Sequence, residues 1–185
     1  MIEARRKQAR REVVEHWQER LPHVRAGLRV VEAVVPVLME WVGRRHGGLS
    51  FHTTQVLSGH CCFGEYLHEK VGREATTKCH HCPEVRDTAQ HTLEVCPAWA
   101  NERRALADRI GVGLDLPAVV GRMLASADDW AAVASFCDTV MSRKEAAERA
   151  REEAPDAPPE RRRRRGGGVE GSCNNISRDH LLLLK

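Results

Sequence analysis

Residues 79–96, CHHCPEVRDTAQHTLEVC, place three cysteines and one histidine in the pattern Cys-x2-Cys-x8-His-x4-Cys. Two thiolates two residues apart can bind one ion from a tight turn, and the later His-Cys pair can complete a tetrahedron. The sequence therefore predicts one structural Zn²⁺. Its predicted ligands are Cys79, Cys82, His91 and Cys96. The alternatives are four unrelated side chains beside a loop, or ligation by one of the intervening histidines.

The composition around this cluster favours a metal. Residues 72–98 are rich in Thr, Glu and His and contain little apolar material, so an ion could replace the missing core. The chain has seven Cys in 185 residues, an odd number that includes the adjacent pair Cys61-Cys62, which argues against a disulfide framework. We therefore expect an intracellular protein, cytoplasmic, nuclear or both.

For the second cluster, His60-Cys61-Cys62, burial at a helix start is favoured over another metal site, and Cys137 is predicted to be part of the core.

On both sides of the loop the apolar residues recur at helical spacing. The predicted fold class is mainly α: a small helical domain interrupted by a zinc-stabilised CCHC loop, with a disordered basic tail. The predicted segments are 1–71, a helical connector; 72–98, the zinc-knuckle-like loop; 99–153, C-terminal helices; and 154–185, the Arg/Gly-rich tail.

Individual helices are predicted from stripes, that is, from apolar residues that recur on one helical face. Residues 3–20 form a charged helix whose predicted inner stripe is Ala9, Val13 and Trp17, whereas residues 24–35 suit a helix or a strand. Residues 50–58 are ambiguous. Asp128 is the predicted N-cap of a last helix ending near Glu153. Its predicted buried stripe is Trp130, Val133, Phe136 or Cys137, and Val140. The other helices are predicted over 36–45, 63–71, 99–110 and 117–124.

The net charge of +3 is unevenly distributed. Residues 154–185 contain seven of the 29 basic and four of the 26 acidic residues, which leaves residues 1–153 with 22 of each. The excess lies in five consecutive arginines that could neutralise about five phosphates: Arg161, Arg162, Arg163, Arg164 and Arg165. A solvated tail or a nuclear-import signal is an alternative for this run. No transmembrane helix or signal segment is predicted, and we expect no membrane partner.

Catalytic motifs are poorly represented. Asp128-Asp129 superficially resembles paired polymerase aspartates but lacks the preceding aromatic residue and lies at a helix start, where acids favour the helix dipole. No glycine-rich phosphate loop or nucleophile elbow occurs. We therefore expect no catalytic residue and no small-molecule substrate in this fragment.

Several spaced motifs resemble a known family. They are WVGRRHG at 41–47, FHTTQVLSGH at 51–60, CFGEYL at 62–67, the Cys-Cys-His-Cys cluster, CPAW at 96–99 and ASFC at 134–137. In this order they are similar to the C-terminal region of the Pol polyprotein of arthropod non-LTR (LINE-type) retrotransposons, particularly the type-1 elements that insert into ribosomal RNA genes. The resemblance covers roughly residues 5–150.

The resemblance implies a function. In that family an endonuclease and a reverse transcriptase precede this region, which is a connector with a zinc knuckle thought to help hold RNA template or target DNA during target-primed reverse transcription. The four zinc ligands are carried over unchanged, although the eight-residue spacer exceeds the four of a retroviral nucleocapsid knuckle. The expected partners are RNA, DNA or both, and the upstream reverse transcriptase domain.

Within the loop, four residues are predicted to contact phosphates or unpaired bases: Lys78, His80, His81 and Arg86. Solvent exposure is the alternative for the two histidines. Two other functions stay open: a scaffold or protein-interaction domain in which zinc is purely structural, and a reverse transcriptase or endonuclease assigned only by descent from the parent polyprotein.

Overall fold

Helices form the regular structure of the protein in a computed structural model, which describes residues 2–24, 27–159 and 161. The predicted mainly helical class is confirmed, and no strand occurs in these ranges. The α-helices are α1 (Ile2–Arg20), α2 (Leu28–Val34), α3 (Leu38–Gly43), α4 (Phe51–Ser58), α5 (Gly64–Tyr66), α6 (Ala89–Glu94), α7 (Ala100–Ile110), α8 (Leu116–Ala125) and α9 (Ala127–Glu153). Short 3-10 turns lie at Leu21–His23, Val35–Val37 and Pro97–Trp99, and a π-helical segment at Leu67–Val71.

The long helix α9 is central to the fold, because α4, α7 and α8 all pack against it. The stripe predicted for it is buried: Trp130, Val133, Phe136, Cys137 and Val140. Burying one such apolar side chain contributes about 1.5–3 kcal/mol. This packing stabilises a helix whose other faces are rich in charge.

The start of α9 differs from the prediction. Ser126 is the N-cap, and its Oγ accepts a hydrogen bond from the backbone N–H of Asp129 at 3.0 Å. Asp128 lies two residues later, in the first turn of α9, where its exposed carboxylate pairs with Arg109 at 3.1 Å. The buried Asp129 carboxylate accepts from Arg109 and Arg122, both at 3.0 Å. The two aspartates therefore stabilise the α7–α8–α9 junction.

The predicted inner stripe of α1 was also misplaced. In α1 the buried residue is Val14, and the predicted Val13 is 49% exposed, because one narrow edge of this helix contacts α3. In α2, a helix rather than a strand, Leu28 is 50% exposed. Its buried residues are Val30, Val31, Ala33 and Val34.

The motif at residues 41–47 encloses Trp130. Trp41 and Trp130 pack with ring centroids 5.5 Å apart, and the Arg44 guanidinium lies over both rings, 4.4 and 4.9 Å from their centroids. The Trp130 indole N–H donates to the Gly48 carbonyl at 3.0 Å. Gly47, at φ +74°, lies so close that a Cβ there would overlap the Trp130 ring. We call this arrangement the tryptophan clamp.

The ambiguous segment 50–58 is helical, since Ser50 caps α4 by accepting from the Thr53 N–H at 3.1 Å. Buried side chains from residues 1–71, 72–98 and 99–153 share one apolar cluster. The boundaries between those segments stay a prediction. Within the described ranges, no helix has both the length and the apolar composition to cross a bilayer.

Candidate metal centre

The four predicted ligands converge. One donor atom from each of Cys79, Cys82, His91 and Cys96 lies within 4.8 Å of all the others. The Cys82 Sγ and His91 Nε2 atoms are 3.3 Å apart. Tetrahedral bonds of about 2.0–2.3 Å to zinc would hold such atoms roughly 3–4 Å apart. This cluster could therefore hold a metal ion with little rearrangement.

Backbone hydrogen bonds shape the turn that carries the first two ligands. The Cys79 N–H donates to the Glu84 carbonyl at 2.9 Å, and the Asp87 N–H donates to the Thr77 carbonyl at 2.7 Å. These bonds close a loop over residues 77–87. Cys79 and Cys82 therefore lie in a single turn facing α6.

Helix α6 carries His91, and Cys96 follows two residues after its end. Thr88 is its N-cap, and the Thr88 Oγ1 accepts from the His91 N–H at 2.9 Å, which fixes the backbone at this ligand. The helix ends at Glu94, and the Cys96 N–H donates back to the His91 carbonyl at 2.9 Å. Arg103 of α7 donates to the carbonyls of Leu93, at 2.9 Å, and of Cys96. The carbonyls of His91 and Leu93 in the last turn of α6 are thus paired.

The electrostatics of the cluster fit a bound cation. Burial raises the pKa of Cys96 to about 12 and also raises the pKa of Cys79, so both need a positive partner to ionise. The His81 N–H donates to the Cys79 sulfur at 3.4 Å, a contact that favours its thiolate form. Burial lowers the pKa of His91, which favours the neutral imidazole that ligates metals. A divalent ion would supply the missing charge.

A buried ion pair joins this loop to α9. The Lys144 Nζ lies 2.8 Å from one Asp87 carboxylate oxygen and 3.1 Å from the other, and both side chains are at most 2% exposed. Asp87 also accepts from the Gly64 N–H at 3.1 Å, while Lys144 lies 5.1 Å from the Phe63 ring centroid. Sequence analysis missed this pair. We call it the Asp87–Lys144 anchor.

Gly64, in the motif at residues 62–67, allows the loop to approach α5. A Cβ added to Gly64 would lie 2.5 Å from the Lys78 carbonyl oxygen and 2.7 Å from that of Thr77. Real Cβ atoms do not approach backbone oxygens so closely. Gly64 therefore contributes to the site by letting the loop backbone rest against α5.

The predicted nucleic-acid contacts in the loop have different surroundings. Lys78 is exposed. Arg86 is also exposed, and its Nε donates to Glu65 at 2.7 Å. The His81 ring packs against Trp99 at 4.9 Å, and burial, assisted by Lys144, lowers the pKa of His81 to about 4. His81 is therefore neutral near pH 7 and brings no charge toward a phosphate.

His80 and Arg161 converge on one carboxylate. The His80 Nε2 lies 2.8 Å from Glu74 Oε1, and Arg161 pairs with the same oxygen while its side chain is 9% exposed. Arg161 would have to leave Glu74 before reaching a phosphate. The chain also retains contact with the body after α9, since Ala157 is buried. The remaining predicted contacts, Arg162, Arg163, Arg164 and Arg165, lie outside the described residues, as does most of the predicted tail.

The other cysteines lie apart from the cluster. The sulfurs of Cys61 and Cys62 are 3.2 Å apart and buried, and the His60 ring packs against Tyr66 at 4.7 Å. In the described ranges these three do not form a group with metal-ligand spacing. Cys137 is fully buried in the face of α9, as predicted.

These features define a helical body with one Cys3His cluster suited to a metal. The chain is similar to a retrovirus-related Pol polyprotein from the type-1 retrotransposable element R1 4 of Nasonia vitripennis, at 29% identity over 148 residues. The similarity covers 77% of this chain and 36% of that protein, so the chain spans about a third of the relative's length. The resemblance to retrotransposon Pol polyproteins is therefore confirmed. No protein-family model and no solved structure matches the chain.

Proposed function

We propose that this chain is a zinc-stabilised, non-catalytic nucleic-acid-binding module of a retrotransposon Pol polyprotein. It would follow the reverse transcriptase and help hold RNA template or target DNA during target-primed reverse transcription. The observation that carries the proposal is the convergence of the four predicted ligands in a chain that is similar to such a polyprotein.

Zinc is the metal that the donor set favours. Thiolate and imidazole donors in a tetrahedral group suit Zn²⁺, and four protein ligands leave no open position for a substrate. The ion would therefore supply stability rather than chemistry. Its ligands would be Cys79, Cys82, His91 and Cys96.

Nucleic acid would contact the exposed side of the loop. Lys78 and Arg86 are exposed there, and residues 1–153 carry equal numbers of basic and acidic residues. Binding by a neutral body must depend on a few local cations, so we expect modest affinity that falls with salt. The arginine run beginning at Arg161 would add sequence-independent attraction.

Zinc content is the first test. Native mass spectrometry of the full chain should find one zinc, and the double variant Cys79→Ser, Cys82→Ser should lose it. The variant Cys62→Ser is the matched control, because Cys62 is buried and lies outside the cluster. Zinc that survives in the double variant, or is absent from the parent chain, would contradict the site.

RNA binding is the second test. The variant Lys78→Glu, Arg86→Glu should bind single-stranded RNA at least tenfold more weakly than the parent at low salt, with its zinc retained. Lys7→Glu, Arg45→Glu carries the same charge change at exposed positions outside the loop. An equal loss in both variants would show that only net charge matters, and unchanged binding in the first would refute contact by the loop.

A structural scaffold is the second candidate function. The Asp87–Lys144 anchor favours it, because it ties the loop rigidly to α9 whether or not the loop touches nucleic acid. The partner would then be the upstream reverse transcriptase domain. One bound zinc combined with no RNA binding at low salt would support this function over the first.

A further inference from the structure

A cavity of about 470 Å³ lies beside the metal-binding loop, between the start of α2, the end of α4 and the π-helical segment. Its walls include Arg29, Gly59, His60, Tyr66 and Lys70. Its volume falls in the range of about 300–1,000 Å³ typical of small-ligand sites, and π-helical turns are frequent at functional sites. The motifs at residues 51–60 and 62–67 both contribute to its wall, and the function proposed above makes no use of it.

Arg29 contributes to this wall and carries an unsatisfied donor pair buried behind it. Its Nη1 donates to the Gln90 Oε1 at 2.8 Å, next to the ligand His91. Its Nε and Nη2 are buried without a hydrogen-bond partner among the described residues. These two N–H groups point in the same direction and form the edge of the guanidinium that takes two oxygens of one phosphate or carboxylate.

The energetic cost of leaving this edge unpaired favours an anionic ligand. Burial lowers the pKa of Arg29, which means that the charged form is poorly solvated, and the Glu94 carboxylate offsets this only in part. Buried polar groups normally have a hydrogen-bond partner. Two buried donors of one guanidinium that have none therefore indicate a missing partner. Both nitrogens are shielded from water, and a ligand would reach them through a side-chain rearrangement at the wall.

The wall also contains an aromatic pair. The Tyr66 ring packs edge-on against His60, with centroids 4.7 Å apart and planes at 62°. Burial raises the pKa of Tyr66, so its hydroxyl stays protonated and can donate. Tyr66 is the single tyrosine of the chain. A half-buried aromatic ring beside an arginine edge suits a flat, polar ring that carries a phosphate.

We propose that this cavity binds one nucleotide, with its phosphate on the Nε and Nη2 edge of Arg29 and its base against Tyr66. Of the acidic residues in the wall, Glu65 is paired with Arg86, and the cations Arg29 and Lys70 equal the acids Glu65 and Glu69 in number. The nucleotide is either free or one unit of a single strand. The site is separate from the proposed contacts of the zinc loop and does not depend on them.

Calorimetric titration of the full chain tests the ligand class. The probes are adenosine monophosphate, adenosine, inorganic phosphate, and a 5′-phosphorylated oligoadenylate. We expect the monophosphate to bind more tightly than adenosine or phosphate alone. Tighter binding of the oligonucleotide than of the monophosphate would identify a strand as the source, and equal binding would identify the free nucleotide. Phosphate binding as tightly as the monophosphate would overturn the assignment of a nucleotide.

Substitutions test the residues. Arg29→Met should weaken monophosphate binding at least tenfold, and Arg29→Lys should weaken it by less, since an ammonium keeps the charge without the paired edge. Tyr66→Ala should weaken the monophosphate but not inorganic phosphate. Arg45→Met, an exposed arginine outside the cavity, is the matched control. Unchanged binding in Arg29→Met would overturn the proposal.

Zinc content and melting temperature show whether each variant is folded. RNA binding that is lost in Lys78→Glu, Arg86→Glu while monophosphate binding persists would separate the loop from the cavity. If no probe binds the folded parent chain, the cavity proposal is refuted, and the function proposed for the loop is unaffected.

Discussion

Helix α9 is held at two places by different chemistry. Near its start, Trp130 lies in the tryptophan clamp, where rings, a guanidinium and a glycine pack closely around it. Fourteen residues later, about 21 Å along the helix, Lys144 pairs with Asp87 and ties the loop of the candidate metal centre to the same helix. The clamp is mainly a packing contact, whereas the anchor is two charges removed from water.

Because of this difference, the two regions should respond differently to substitution. A packing contact loses stability in proportion to the atoms displaced. A buried ion pair adds little relative to apolar residues, but losing one partner leaves a bare buried charge. The loop therefore depends on a few discrete polar links and on the proposed zinc, and the helices around Trp130 depend on many small contacts. Four perturbations separate these two regions.

Metal removal should have the largest effect, and it should be local. Structural zinc contributes about 10–16 kcal/mol of apparent binding free energy in small zinc-finger peptides. On chelation we expect amides in residues 77–96 to exchange rapidly, while those of α8 and the first half of α9 stay protected. Hydrogen–deuterium exchange with mass spectrometry measures both. Uniform loss of protection along the chain would show that the two regions are not independent.

Breaking the Asp87–Lys144 anchor should come next. Lys144→Met leaves the buried Asp87 carboxylate unpaired and should lower the free energy of unfolding by about 3–5 kcal/mol. The double variant Lys144→Met, Asp87→Asn should recover most of this loss, because an amide oxygen still accepts from the Gly64 N–H. Urea unfolding measures the difference. A double variant as unstable as the single one would mean that packing rather than charge dominates at this position.

The same contrast explains which features could be predicted from the sequence and which could not. The cysteine pattern and the stripe of α9 follow from local spacing, and the structure contains both. The Asp87–Lys144 anchor joins residues 57 apart through one contact, so no periodicity indicates it. In α1 the buried residue is Val14 and not the predicted Val13, one position earlier. A charge-rich helix with one buried side chain has no well-defined apolar stripe from which the buried position could be predicted.

Two glycines provide a matched pair of smaller changes. Gly47→Ala forces a Cβ into the Trp130 ring at a left-handed backbone, and Gly64→Ala forces one onto the Lys78 and Thr77 carbonyls. Each should cost about 1–3 kcal/mol from overpacking, and Gly47→Ala somewhat more from its φ. Gly64→Ala alone should weaken metal affinity, as measured by competition with a chromophoric chelator.

Gly121→Ala is the control for both, because its position in α8 has open space for a Cβ. It should be neutral or stabilising by about 0.5–1 kcal/mol. Reduced metal affinity in Gly47→Ala would show that strain at the tryptophan clamp is transmitted along α9 to the loop.

The smallest expected effects come from two helix caps. Thr88 caps α6 through the N–H of the predicted ligand His91, and Ser126 caps α9 through the N–H of Asp129. Thr88→Ala and Ser126→Ala should each lower the free energy of unfolding by about 1 kcal/mol. Only Thr88→Ala loosens a ligand's backbone, so it alone should weaken metal affinity, by about fivefold. If Ser126→Ala weakened it equally, metal affinity would report the stability of the whole fold, and the separation between a polar loop and an apolar body would fail.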